Sequence, residues 1–164
     1  MPGVFAVSRT FLRDERIAAR LSTCQVFNEG LLLEVDVWLR SGDNESMRQA
    51  LREATGLQHS PSQGGGPQLR VFLGEGRKEI SFVTEGDDNG PRLVIWRAAG
   101  VSGHIRINCW LSPRSDEDVV VSLAWPEWST QEGTVTVAGD VIDTALRDVV
   151  ELWPDEPRAI HMLM

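Results

Sequence analysis

Along most of this chain apolar and polar residues alternate with a period of two, the pattern of strands buried on one face. The clearest run is Leu31 to Leu39, where Leu31, Leu33, Val35, Val37 and Leu39 share one face and Glu34, Asp36 and Trp38 the other. Val4 to Leu12, Ile17 to Phe27, Leu69 to Leu73, Glu79 to Val83, Arg92 to Ala98, His104 to Ser112 and Val119 to Trp125 read the same way, and Thr134 to Val137 is a short further candidate. Turn chemistry punctuates them. Asn28-Glu29-Gly30 links the second and third runs, Gly74-Glu75-Gly76 suits a hairpin, and Asp87-Asp88-Asn89-Gly90-Pro91 reads as a loop. Short links between strands predict a mostly β protein, an antiparallel β-sandwich or flattened barrel of about eight strands.

Two segments change period. Asn44 to Thr55 places Met47, Leu51 and Ala54 at helical spacing, with Gly56 suited to the C-terminal cap. Ser60 to Pro67 then forms a Gly/Pro-rich surface connector. Near the end, Asp140 suits an N-cap, Ile142, Ala145, Leu146, Val149, Leu152 and Trp153 form one apolar stripe, and Pro154 stops the helix. That helix is expected to cover a sheet edge or an end of the sandwich. Residues 1–154 therefore read as one β-rich domain, with a helix and connector inserted at 43–67 and a loose tail at 155–164.

At 164 residues and 41% hydrophobic, the chain can bury a core without a disulfide or metal. Cys24 and Cys109 match no ligand spacing, and they read as core thiols more readily than as a long-range disulfide. Met1 to Leu12 lacks the basic segment and apolar run of a secretory signal, and no apolar run is long enough to span a bilayer. A cytoplasmic protein without membrane contact is expected. The formal net charge of −8 is uneven: residues 1–114 carry 14 Lys and Arg against 13 Asp and Glu, whereas 115–164 carry 2 against 11. That balance argues against nucleic acid, whose phosphates require clustered cations. It leaves open a basic partner for the acidic third.

Three features together resemble a family of small uncharacterised actinobacterial proteins. They are the opening Val7-Ser8-Arg9 strand followed by a second strand and a Gly30-led third, the Trp125-Pro126 step, and a closing helix ending Leu152-Trp153-Pro154. The resemblance spans most of residues 4–154 and implies a β-rich fold. It lends no catalytic residue, because the family has no established activity.

Catalytic and metal signatures are missing from the sequence. No Gly-x-Ser-x-Gly elbow, Cys-x-x-Cys, His-Glu-x-x-His or spaced-carboxylate calcium loop is present, and His59, His104 and His161 are scattered. No cofactor is implied. Glu34 and Asp36 lie about 7 Å apart on one strand face, a spacing open to carboxylate catalysis but read here as two solvated acids.

The feature that stands out is the pair of strands 92–98 and 104–112. Placing Leu93, Ile95, Ile105, Ile107, Cys109 and Leu111 inward turns Arg92, Trp96, Arg106 and Trp110 outward. A five-residue link centred on Val101 would set Trp96 opposite Arg106 and Arg92 opposite Trp110, as two cross-strand cation–π pairs. Tryptophan and arginine concentrate in binding hot spots, so these four residues are the expected binding surface unless a helix covers them. The expectation is a non-catalytic protein-interaction domain. The alternatives are a small-ligand module, with carbohydrate first, and an acidic immunity- or antitoxin-type protein. A homodimer through an uncovered strand edge is also open. Trp125 and Trp128 form a second aromatic group, expected to receive a docked helix.

Overall fold

A computed structural model describes residues 1–40, 43–57, 66–80, 90–101 and 103–149. Nine strands in two antiparallel sheets, with two helices, make up the described chain. In chain order they are β1 (Gly3–Arg13), β2 (Ile17–Val26), β3 (Leu31–Leu39), α1 (Asn44–Gly56), β4 (Gln68–Leu73), β5 (Lys78–Glu79), β6 (Arg92–Val101), β7 (His104–Ser112), β8 (Val119–Ala124), β9 (Glu132–Val137) and α2 (Gly139–Arg147). One sheet has the order β1-β2-β3-β7-β6 and the other β5-β4-β8-β9, so the fold is a sandwich rather than a closed barrel. No helix among the described residues is long and apolar enough to cross a membrane.

The alternation seen in the sequence is the alternation between core and surface. Leu33, Val35, Ile107, Leu111, Val121 and Leu123 all sit in the buried layer between the sheets. Cys24 and Cys109 face the same core as free thiols, each paired in register with Leu33 on the intervening β3. A whole strand therefore separates them, beyond the reach of a disulfide.

Both helices close the sandwich from its flanks. α1 begins at Asp43, whose carboxylate accepts hydrogen bonds from the Glu45 and Ser46 amides, and it packs against β6 and β7. Its C-cap is Leu57 rather than Gly56: Leu57 keeps a right-handed conformation and buries its side chain, so the left-handed glycine cap is not used. The Glu53 carboxylate of α1 accepts a hydrogen bond from the fully buried Trp125 indole at 3.3 Å, which is the helix docking expected at the second aromatic pair. Trp128 packs edge-on against Trp125 with ring centroids 6.1 Å apart, and the Arg16 guanidinium lies over the Trp128 ring. Pro67, expected in the surface connector, is buried.

α2 lies beside β1 and β2, as a cover for that flank. Its N-cap is Ala138 rather than Asp140, because the Asp118 carboxylate reaches from the β7–β8 link to accept from the Gly139 amide at 2.8 Å. A side chain distant in sequence has taken the capping role, which leaves Asp140 inside the first turn. The helix ends at Arg147, before Val149; Leu152, Trp153 and Pro154 lie outside the described residues. So do residues 60–65 of the expected connector, residues 81–83 of the strand expected over Glu79 to Val83, residues 87–89 of the expected loop and the expected 155–164 tail.

Glycines mark where the two layers come closest. A Cβ on Gly133 of β9 would stand 2.3 Å from the Phe11 carbonyl oxygen of β1, so the seam between the sheets requires glycine there. Gly133→Ala is expected to destabilise the fold by about 2 kcal/mol, the scale of overpacking in a closed site. Gly76→Ala, at a turn position with open space around it, is the control and should be near-neutral in urea unfolding. Burial pushes the Cys24 thiol up to about 12 and raises Cys109 as well. Iodoacetamide at mildly alkaline pH should therefore leave both native thiols unmodified and alkylate both in denaturant.

Candidate functional site

The outer face of the five-stranded sheet carries all four residues expected at the binding surface, but not in the expected pairs. Val101 pairs directly with His104, so the β6–β7 link is two residues long rather than five. From there the ladder runs Gly100 with Ile105, Ala99 with Arg106, Ala98 with Ile107 and Arg97 with Asn108. Continued unchanged, that register would set Leu93 opposite Ser112 and Ile95 opposite Trp110, turning both apolar side chains outward. A bulge between Ile95 and Arg97 resets the parity, and Leu93 and Ile95 meet Leu111 and Cys109 on the core side.

Trp96 is the extra residue at that bulge and is 68% exposed. It pairs with no residue of β7, and Arg106 lies opposite Ala99 on one side and Asp36 on the other. Trp110 pairs with Val94 and stands edge-on to the Phe27 ring at 5.3 Å, while Arg92 pairs with Ser112. The two expected Arg–Trp pairs are thus replaced. The cation–π contact on this face is Arg20 over Trp38, at 4.9 Å. Neither described helix lies over Trp96 or Val94, both of which are exposed.

Between this aromatic edge and the other end of the face lies a polar cluster centred on Asp36. Register alone places it: Arg20, Asp36 and Arg106 occupy one row across β2, β3 and β7. Arg106 grips Asp36 with a forked pair of hydrogen bonds, Nε at 2.9 Å and Nη2 at 3.2 Å, and its Nη1 lies 3.4 Å from Glu34. The Ser22 hydroxyl donates to Asp36, and His104 donates from Nε2 at 2.8 Å. An ionised carboxylate only accepts, so His104 carries its proton on Nε2. The imidazole in turn stacks on Trp38, with centroids 5.1 Å apart and planes 11° from parallel.

These groups cover Asp36, which is 1% exposed, whereas the sequence reading made it a solvated acid beside Glu34. Burial alone would raise its pKa, but the hydrogen bonds from Arg106, Ser22 and His104 outweigh it and hold the carboxyl at about 2. Such a group is ionised at neutral pH and cannot act as a proton donor, the role that carboxylate catalysis asks of one member of a pair. It is a cross-strand pin. No group of three or more His, Cys, Asp or Glu side chains among the described residues is placed to hold a metal ion.

The sequence reading missed Arg20, Ser22 and Trp38 as members of this cluster. Only the strand order, which sets β7 against β3, brings His104 and Arg106 to Asp36.

Asp36→Asn should cost about 2 kcal/mol at pH 7, since its neutral amide cannot answer Arg106. The folded pKa lies below the unfolded value, so this stabilisation is complete above pH ~4 and fades as pH falls toward 2. The stability gap between the native protein and Asp36→Asn, read by urea unfolding across that range, should close accordingly. Against known proteins the chain has no match: no family model, no curated protein and no solved structure is similar to it.

Proposed function

We propose that this protein is a non-catalytic interaction domain that contacts another protein through the outer face of its five-stranded sheet, on the side of β6. The observation that carries this reading is the exposure of Trp96, at 68%, on a bulge of an edge strand that also exposes Val94 and Val101. A large aromatic side chain left in water beside further apolar groups is typical of an interface anchor. Trp110, half-buried next to Val94, extends the apolar area toward the sheet interior, and Arg92 rims it.

A carbohydrate module would place its tryptophan in a recess, and Trp96 stands out from the strand. Trp38, a further outward indole on this face, is already engaged by His104 and Arg20. A homodimer through a strand edge would appear as self-association. The proposed kinship with small actinobacterial proteins contributes no functional residue to this reading, and a cytoplasmic location is part of the same proposal.

Affinity capture from the host's lysate tests it. The native protein should recover a stoichiometric partner, and Trp96→Ala should reduce that recovery at least about fivefold while leaving stability within ~0.5 kcal/mol, as surface changes do. Val141→Ser, on the exposed face of α2, should recover the partner fully. Equal recovery by Trp96→Ala would sink the assignment of this surface.

A further inference from the structure

The outward positions of the five-stranded sheet are rich in arginine. Reading outward positions from the registers, the exterior of the five-stranded sheet holds five arginines, Arg13, Arg20, Arg92, Arg97 and Arg106, against two carboxylates, Glu34 and Asp36. Asp36 is sealed beneath Arg106 and His104, so the carboxylate that reaches the surface is Glu34, itself half-buried. The acidic part of the chain lies elsewhere. Over residues 115–149 the carboxylates, from Asp116 to Asp148, lie on β9, on α2 and its C-terminal cap, or in the links beside β8, and none is on a strand of the five-stranded sheet. In a protein of net charge −8, cations thus outnumber anions among the described outward strand positions of this sheet, which also include Trp96 and Trp110.

From this charge complementarity we propose that the partner of the outer face is an acidic segment of another protein, bearing apolar or aromatic side chains that meet Val94, Trp96 and Trp110. This rests on the reading of the face as an interface and adds the partner's chemistry. Arg97 is central to it. The bulge exposes both Trp96 and Arg97, setting an aromatic anchor and a guanidinium side by side on the edge strand. A carboxylate next to an apolar side chain matches that arrangement. A nucleic-acid strand matches it less well, because phosphate-driven binding requires many cations together, and Arg13 on β1 lies at the opposite edge of the sheet from Arg92 and Arg97 on β6.

The test is selection of a library of random linear peptides on the immobilised full chain, with binding then measured to the native protein, Trp96→Ala and Arg97→Glu. Both variants are first matched to the native protein in urea unfolding. Peptides that depend on Trp96 are expected to carry net negative charge, and Arg97→Glu should weaken them by roughly tenfold, with the loss shrinking at high salt. Trp96-dependent peptides of neutral or basic composition would overturn the acidic assignment and leave the interface reading standing. If no selected peptide depends on Trp96, both fall. A fluorescein-labelled oligothymidylate that binds more tightly than the selected peptides, and loses binding in Arg97→Glu, would overturn the proposal in favour of single-stranded nucleic acid.

Discussion

A strand in a sandwich can offer only one parity of its residues to the core, and the β6–β7 hairpin meets that constraint with a single bulge. Near the turn, Ala98 and Ile107 face inward; beyond it, Leu93 and Ile95 must do so, and the two sets differ in parity. One extra residue reconciles them. That residue is Trp96, and its displacement from the ladder is the reason an indole stands in solvent on an edge strand. The most accessible aromatic group among the described residues is therefore tied to the packing of the core.

Asp36 does for the polar side of the sheet what the apolar ladder does for the other. A single carboxylate is shared by Ser22 of β2 and by His104 and Arg106 of β7, with Arg20 close by, so three strands converge on one buried charge. Its hydrogen bonds are numerous enough to reverse the effect of burial on its pKa. The hydrogen bonds thereby hold the side chains around Asp36 in place in the middle of this face. That matters for binding, because the aromatic edge projects from a surface whose side chains are already fixed, and ordering them on association costs little.

Charge segregation follows from topology rather than from local sequence. β1, β2, β6 and β7 supply the arginines of one exterior, while the described acidic residues from 115 onward lie on β9, on α2 and in the links beside β8, off the strands of that sheet. An overall acidic protein can then carry a cationic surface, which composition averaged along the chain conceals.

The sequence by itself determined the fold class, since inward and outward residues are written as a period of two wherever one face must be apolar. The bounds of β3 and β7, the start of α1 and the inward set Leu93, Ile95, Ile105, Ile107, Cys109 and Leu111 follow from that periodicity alone. The tertiary structure decided what periodicity does not encode. Strand order set Asp36 between Arg20 and Arg106, a two-residue turn with a bulge separated Trp96 from Arg106, and Asp118 displaced Asp140 as the support of α2. Alternation fixes which face a residue takes between bulges such as the one at Trp96, but not which strand lies beside it. The chemistry of this surface is made of neighbours brought together from residues 20, 36 and 106.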